Sequence, residues 1–305
     1  MISSGRIIQL HRSSCVVDTG EGAVVATLRG SLAVRGRVYV GDMVELTKPQ
    51  TPGATATICR CRPRRNRLQR PAVANIDQLL LVYSCKEPDP DLEVLDRCLV
   101  SSEYEEIPAT LVCNKTDLAD RRRRREVEEI NAIYNRSGYH VHCMSARSGE
   151  GLPELRRLCS DKISVLGGIS GVGKTSILNS LLPEHRFRTA DVSRGHGRGV
   201  HTTTGTSLVP LPEGGYLADT PGFSAVDLPC MEEDELQACF PEIVSRMGSC
   251  RFNNCSHHDE PGCSVRATAK QGTIGLSRYN HFVKFYDHLR ERRQTCPGKR
   301  GRGGR

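Results

Sequence analysis

One glycine-rich stretch, residues 168–175, constrains the fold of this chain more than any other feature. It reads Gly-Ile-Ser-Gly-Val-Gly-Lys-Thr, follows an apolar run at 163–166 and precedes a helix-forming run at 176–182. This order predicts a strand, a loop whose backbone N–H groups surround an anion, and a helix whose N-terminus favours negative charge. Lys174 then reaches the outer phosphates and Thr175 binds magnesium, whereas a simple glycine-rich turn leaves this pair unexplained. The predicted phosphate-binding residues are Gly168, Ser170, Gly171, Val172, Gly173, Lys174, Thr175 and Ser176.

A second motif indicates which base accompanies the phosphates. The tetrad Asn-Lys-Thr-Asp at 114–117 directly follows an apolar run at 109–113. A carboxylate at Asp117 can accept hydrogen bonds from both the ring N–H and the exocyclic amine of guanine, whereas adenine offers no such pair of donors. Asn114 is expected to brace the loop, and Lys115 is expected to lie over the ring.

Two further segments complete the expected GTP site. The run at 140–144 predicts a strand that ends at Ser145 and Ala146, where a backbone N–H can meet the guanine oxygen. The tetrad Asp-Thr-Pro-Gly follows another apolar run, and its first and last residues, Asp219 and Gly222, are predicted to bind the nucleotide. The motifs together predict a GTP site.

The order of these motifs is unusual. Base recognition precedes the phosphate loop, and the phosphate loop precedes the candidate switches at 201–204 and 219–222, whereas ordinary GTPases begin with the phosphate loop. The same site survives if the old termini are joined and the chain is opened at a surface loop. Alternating strand and helix patterns from residue 75 predict a parallel sheet. The sequence therefore predicts a circularly permuted α/β GTPase domain.

The N-terminal 62 residues show a different pattern. Short apolar runs at 6–10, 15–17, 23–28, 37–40, 43–46 and 54–58 are separated by turn residues. About five strands in so short a segment predict a small closed barrel, either OB-like or SH3-like. Such barrels often bind RNA, although a barrel that only caps the next domain is the alternative.

Basic residues are clustered rather than spread evenly. The chain has 43 Lys and Arg against 35 Asp and Glu, a net charge of +8. The segment 60–70 contains six arginines and no acid, and the tail from Arg290 is basic and glycine-rich. Both predict contact with a polyanion. The five arginines at 121–125 stand next to acidic residues, so a solvated helix face is favoured there.

A cysteine and histidine cluster near the C-terminus predicts a metal site. Three thiols and an imidazole, at Cys250, Cys255, His257 and Cys263, offer the four ligands of a closed structural zinc site. Reduced core cysteines are the alternative, but loop-forming residues surround these four. The other cysteines lie mostly in apolar runs and are expected to be reduced thiols. Residues 264–294 have helical spacing and predict a helix.

Beyond single motifs, the stretches 67–77 and 219–223 resemble those of the circularly permuted small-ribosomal-subunit-dependent GTPase A family, and the resemblance covers nearly the whole chain. It favours an OB-type barrel, implies a role in late maturation of the small subunit, and selects His257 rather than the adjacent His258 as zinc ligand. It also implies that Thr203 or Thr204 meets the magnesium ion.

The same resemblance bears on hydrolysis. Phe223 stands where many GTPases have the glutamine that orients the attacking water. His201 matches a family histidine and can orient that water, so His201 and Lys174 are the predicted catalytic residues. The family has an arginine where this chain has Val200, which puts a phosphate role at that position in doubt, although Arg198 could substitute.

These observations predict three domains: an OB-fold RNA-binding domain at 1–66, a circularly permuted GTPase domain at 67–228, and an α-helical zinc-binding domain with a basic tail at 229–305. The predicted function is GTP hydrolysis stimulated by the small (30S) ribosomal subunit and its rRNA, with GTP or GDP, Mg²⁺ and one structural Zn²⁺ bound. No membrane-spanning run or signal pattern is present, so a cytoplasmic location is expected. The protein is also expected to be a monomer. The alternative is a non-catalytic RNA-binding scaffold locked by guanine nucleotide.

Overall fold

The structure is a computed structural model, and it describes residues 2–11, 13–28, 38–47, 55–68, 71–182, 206–219 and 227–295. These residues belong to two compact units. The first unit comprises Met1–Leu80, Leu152–Gly167 and Lys174–Phe223, and the second comprises Leu81–Gly151, Gly168–Gly173 and Ser224–Arg305. The domains 1–66, 67–228 and 229–305 are retained as a proposal.

Strands and helices are numbered here in chain order. The strands are β1 (Ile2–Leu10), β2 (Cys15–Asp18), β3 (Ala23–Leu28), β4 (Met43–Thr47), β5 (Ala56–Cys61), β6 (Arg67–Leu68), β7 (Val73–Ala74), β8 (Gln78–Ser84), β9 (Ala109–Asn114), β10 (His140–Cys143), β11 (Ile163–Gly167), β12 (Ser207–Pro210) and β13 (Tyr216–Asp219). The α-helices are α1 (Leu92–Tyr104), α2 (Arg121–Arg136), α3 (Leu152–Cys159), α4 (Lys174–Leu181), α5 (Pro241–Val244), α6 (Ser264–Lys270) and α7 (Leu276–Thr295).

A closed five-stranded barrel occupies the N-terminal part of the first unit. β1 pairs antiparallel with β2 and β4, β2 with β3, and β4 with β5, while β3 pairs parallel with β5. Alternate residues such as Ile7, Val17, Val44 and Ile58 fill its core. This five-strand circuit is that of an OB fold, which confirms the OB-type prediction. The expected run at 37–40 forms no strand in its described part.

The rest of the first unit carries strands of the predicted α/β domain. β11 pairs parallel with β13, and β12 pairs antiparallel with both β13 and β1. Tyr216 on β13 also donates its hydroxyl to Asp18 of the barrel at 2.7 Å. The barrel is therefore joined to these strands by backbone and side-chain hydrogen bonds.

In the second unit, the end of β8 leads to α1, and β9 and β10 form a parallel pair on either side of α2 in the chain. Asp91 and Asp120 cap α1 and α2, each accepting a hydrogen bond from a backbone N–H of the first turn. Because both strands of the pair run in the same direction, Asn114 and Ser145 emerge at the same edge. This edge carries the base motif.

The C-terminal part of the second unit differs from its prediction in one respect. The single helix expected over 264–294 is two helices, α6 and α7, separated by a turn in which Gly272 has φ +79°. That left-handed conformation ends a helix at low cost only when the residue is glycine. The aromatic residues Phe240, Phe282 and Phe285 are fully buried in the core that these helices share with the end of α1.

A buried ion pair, which sequence reasoning missed, lies within this same core. The Arg278 side chain is 1% exposed and donates to Asp96 at 2.8 Å and to Glu242 at 2.6 Å. Tyr134 donates its hydroxyl to the same Asp96 carboxylate at 2.9 Å. Removing one partner from such a buried set leaves an uncompensated charge, so these residues stabilise the packing of α1, α2, α5 and α7.

No helix in the described ranges combines the length and apolar character needed to cross a membrane.

Candidate guanine-nucleotide site and zinc cluster

Asn114 connects the base motif to the phosphate loop. The residue is 1% exposed at the end of β9. The amide nitrogen donates to the carbonyl of Val172 at 2.9 Å, and the amide oxygen accepts from the backbone N–H of Ala146 at 3.0 Å. One side chain therefore ties together three segments that are far apart in the sequence, which supports the expected bracing role.

Asp117 is oriented by Ser145. The Ser145 hydroxyl is buried and donates to one carboxylate oxygen of the exposed Asp117 at 2.6 Å. The backbone N–H of Ser148 in turn donates to the Ser145 hydroxyl at 3.1 Å. A carboxylate held by such a network presents a fixed acceptor edge to a base. Lys115 has φ +64°, and its ammonium donates to the carbonyl of Glu87.

Two glycines of the phosphate loop are required by close contacts. A Cβ at Gly168 (φ +134°) would lie 2.1 Å from the carbonyl oxygen of Val82. A Cβ at Gly173 (φ +95°) would lie 2.3 Å from the Asn114 amide nitrogen. Any other residue at either position would displace the loop from the strand or from the base motif, so both glycines serve the shape of the site.

In the first unit, a helix begins at the last residues of the phosphate motif. α4 begins at Lys174, and the predicted Thr175 and Ser176 lie in its first turn. β11, which leads into the loop, runs parallel to β13, and β13 ends at Asp219. Burial raises the pKa of the Asp219 carboxyl. The carboxyl ends of these two strands meet at one edge of the sheet, where ligands of α/β folds bind.

Four predicted residues, His201, Thr203, Thr204 and Gly222, lie outside the described residues. Their assignments rest on the sequence.

The four candidate zinc ligands lie close together in the structure. The Nδ1 atom of His257 lies 3.5 Å from the Cys250 sulfur and 3.6 Å from the Cys263 sulfur. Tetrahedral zinc with ordinary bond lengths holds a sulfur and a nitrogen roughly 3.5 Å apart. The ligand atoms of Cys250, Cys255, His257 and Cys263 all lie within 4.8 Å of one another. The cluster therefore fits a tetrahedral ion.

The surroundings of the cluster also suit a metal. Backbone N–H groups of Ser264 and Arg266 donate to the sulfurs of Cys250 and Cys263 at 3.2 and 3.4 Å, which stabilises thiolates. Burial lowers the pKa of His257, which favours the neutral imidazole that binds zinc. His258 is directed elsewhere, since its Nε2 lies 2.9 Å from an oxygen of Asp287 on α7.

The arginine-rich segment at 60–70 is less unbalanced than its sequence indicates. Arg64 pairs with the buried Asp42 at 2.6 Å, Arg65 pairs with Asp77 at 2.6 Å, and Arg62 lies 3.4 Å from Glu45. The partners come from other segments of the first unit. Arg60 and Arg67 are exposed, as are Arg62 and Arg65.

Sequence reasoning missed the segment 85–90, which contacts Lys115, and the part that Arg123 takes in holding it. Arg123 belongs to the run 121–125, which was expected to be a solvated helix face. Helical spacing could have indicated that one of the five arginine side chains faces the protein interior. No sequence pattern indicated that its partners are Cys85 and Asp89.

Two solved structures share the architecture. The crystal structure of YjeQ from Thermotoga maritima is 34% identical, with a TM-score of 0.81, and the match covers 98% of this chain and 100% of that one. YloQ, described as a circularly permuted GTPase, is 28% identical with a TM-score of 0.81 over 96% of each chain. With the motif order, the barrel and the base and phosphate elements, these likenesses define a circularly permuted GTPase, an enzyme that hydrolyses GTP.

The family follows from sequence comparison. A family model described as RsgA GTPase matches residues 61–229. Proteins named small ribosomal subunit biogenesis GTPase RsgA are 42% identical in Moorella thermoacetica, over 92% of this chain and 95% of that protein, and 38% identical in Thermotoga maritima, over 95% and 98%. This chain belongs to the RsgA GTPase family.

Proposed function

We propose that this protein binds the small ribosomal subunit and hydrolyses GTP during late maturation of that subunit, with hydrolysis stimulated by the particle. The names of its relatives support the ribosomal role. The observation that carries the nucleotide role is Asn114, whose amide joins the base motif to the phosphate loop. The proposal places the protein in the cytoplasm, acting as a monomer.

The nucleotide-binding roles are assigned residue by residue, from the sequence motifs. In the second unit, Asp117 is assigned to accept from guanine and Lys115 to cover the ring. The N–H of Ala146, which donates to the Asn114 amide oxygen in the structure, is assigned to turn to the guanine oxygen when the nucleotide binds. The loop from Gly168 to Gly173 surrounds the phosphates with backbone N–H groups. In the first unit, Lys174, Thr175, Ser176 and Asp219 are assigned to the phosphates and to magnesium, together with Thr203 or Thr204 and Gly222. When bound, magnesium would neutralise the negative charge that develops on the phosphates.

Zinc is assigned to Cys250, Cys255, His257 and Cys263. All four positions are protein ligands, so the site is structural rather than catalytic. The ion would cross-link a loop region that also contacts α7, where the Tyr279 hydroxyl donates to the carbonyls of His257 and His258 at 3.1 and 3.0 Å.

Hydrolysis by the free protein is expected to be slow. Phe223 cannot orient water, so the missing polar group comes from another segment, and His201 is our candidate. His201→Ala is expected to leave the basal rate almost unchanged and to reduce the rate with saturating small subunits by at least about 100-fold, without weakening GTP binding. Single-turnover hydrolysis with and without small subunits measures both rates.

His196→Ala, in the same histidine-containing segment, is the matched control and is expected to keep full stimulation. If His201→Ala is stimulated as strongly as the wild type, the particle itself supplies the catalytic group. If the wild type shows no stimulation by small subunits, although it binds them with GTP, the protein is the nucleotide-locked scaffold of the alternative hypothesis.

Binding to the subunit is expected to weaken steeply with salt, because arginines in the segment 60–70 and the basic tail displace counterions from rRNA. Replacing the exposed Arg60 and Arg67 together by glutamine should lower the log–log slope of affinity against salt by roughly 1 to 2. Arg157→Gln, a change at an arginine 74% exposed and paired with Glu154, is the control. Sedimentation with subunits across a salt series gives the slope. An unchanged slope would remove these two arginines from the interface.

A further inference from the structure

A short segment at 85–90, here called the 85–90 loop, lies against the guanine motif. At its start, the backbone N–H of Cys85 donates to the carbonyl of Asn114 at 2.8 Å. At its centre, the carbonyl of Glu87 accepts from the Lys115 ammonium. The loop also approaches the phosphate loop, since a Cβ at Gly171 would lie 3.5 Å from Pro88. The position of this loop therefore bears directly on where Lys115 is held.

Arg123 holds the loop at both ends. Its Nε donates to the Cys85 carbonyl at 2.6 Å, and one terminal nitrogen donates to the Asp89 carboxylate at 2.5 Å. The other terminal nitrogen donates to Glu126, one turn further along α2, at 3.0 Å. A planar guanidinium with three such bonds has a fixed orientation, and a lysine could not reproduce it.

Exposure separates Arg123 from its neighbours in the run 121–125. The Arg123 side chain is 19% exposed, whereas that of Arg122 is 90% exposed. Both arginines pair with Glu126, so they differ chiefly in the contacts of Arg123 with the 85–90 loop. A network of charge-assisted bonds in a half-buried position is stronger than a surface pair, whose contribution is small.

We infer that Arg123 is a positioning residue for guanine-nucleotide binding, because it fixes the 85–90 loop and through the Glu87 carbonyl fixes Lys115 over the base. Arg123 itself does not contact the nucleotide. The inference rests on the proposed nucleotide site and adds to it a residue and a loop outside the GTPase motifs. Of the contacts that the 85–90 loop makes, the one with Lys115 is assigned to this effect.

The test is titration of the full-length protein with fluorescent GDP. Arg123→Ala should weaken binding about tenfold, as expected for loss of a hydrogen-bonded charged group that supports the site. Arg122→Ala should change the affinity less than twofold. In a Lys115→Ala background, Arg123→Ala should have almost no further effect, since a residue that acts through Lys115 cannot act without it. General destabilisation would not show this coupling.

A second variant guards against a folding defect in Arg123→Ala. Asp89 is 85% exposed, so Asp89→Asn should fold normally, weaken GDP binding by a smaller factor, and lose this effect when Lys115 is alanine. Wild-type affinity in both variants, or effects that multiply fully with that of Lys115→Ala, would overturn the inference. If Lys115→Ala itself binds GDP as the wild type does, the proposed base site fails instead.

Discussion

Asp117→Asn is expected to change the preferred base of the nucleotide site from guanine to xanthine. The carboxylate accepts two hydrogen bonds from guanine, and an asparagine amide would place a donor where one of these acceptors was needed. Xanthine has a carbonyl in place of the exocyclic amine, so the amide suits it. Two hydrogen bonds to a charged group are affected, each of about 1.5–3 kcal/mol. The affinity for GTP should therefore fall at least about 100-fold, while that for XTP rises.

The hydrogen bond from Ser145 should keep the side chain at position 117 in place when Asp117 is replaced by asparagine. Ser145 donates to one oxygen of Asp117 at 2.6 Å, and an asparagine oxygen can accept the same bond, so the side chain should keep its orientation. Asp120→Asn is the matched control, because Asp120 is an exposed helix cap three residues away and asparagine caps equally well. Titration of each variant with GTP and XTP measures the change. If Asp117→Asn retains GTP affinity and gains none for XTP, the base assignment is wrong.

Cys255→Ser is expected to abolish zinc binding and loosen residues 230 to 290. Binding of structural zinc is worth about 10–16 kcal/mol in small peptides, which exceeds the stability of most domains. A serine hydroxyl is a poor ligand, and the remaining three ligands would leave the coordination open. Because the ligands lie outside the base and phosphate motifs, GTP affinity should be nearly unchanged.

Metal analysis and limited proteolysis test this expectation. Cys230→Ser is the control, since Cys230 is an exposed thiol outside the four-ligand cluster. That variant should keep one zinc per chain and the wild-type cleavage pattern. Removal of zinc from the wild-type protein by a chelator should reproduce the cleavage pattern of Cys255→Ser. A Cys255→Ser protein with full zinc content would refute the ligand set.

Several features could be predicted from the sequence because their chemistry is local. The phosphate loop needs consecutive backbone N–H groups and glycines at fixed spacing, so its residues are adjacent in the chain. Strand periodicity in the first 62 residues was enough for a barrel, and the resemblance to a known family chose the OB type, which the strand pairing confirms. The order of motifs alone predicted the circular permutation, which the likeness to YloQ confirms.

Other features depend on which distant segments meet. The arginines at 60–70 read as unbalanced because their partners, among them Asp42 and Asp77, lie outside that run. The helix expected over 264–294 is interrupted at Gly272. The left-handed backbone conformation of that glycine, which helical spacing does not reveal, ends the first of the two helices.

The class of nucleotide and the candidate metal ligands follow from the amino-acid sequence alone, since each is a pattern of residue types at short spacing, and the motif order is read directly along the chain. The tertiary packing was needed to show that Arg123, and not Arg122, faces the 85–90 loop, and that Arg278 is a buried charge with partners on two other helices. The physical reason is that a charged side chain is stabilised by whatever surrounds it. Its surroundings are formed by the packing of segments that are distant in the sequence.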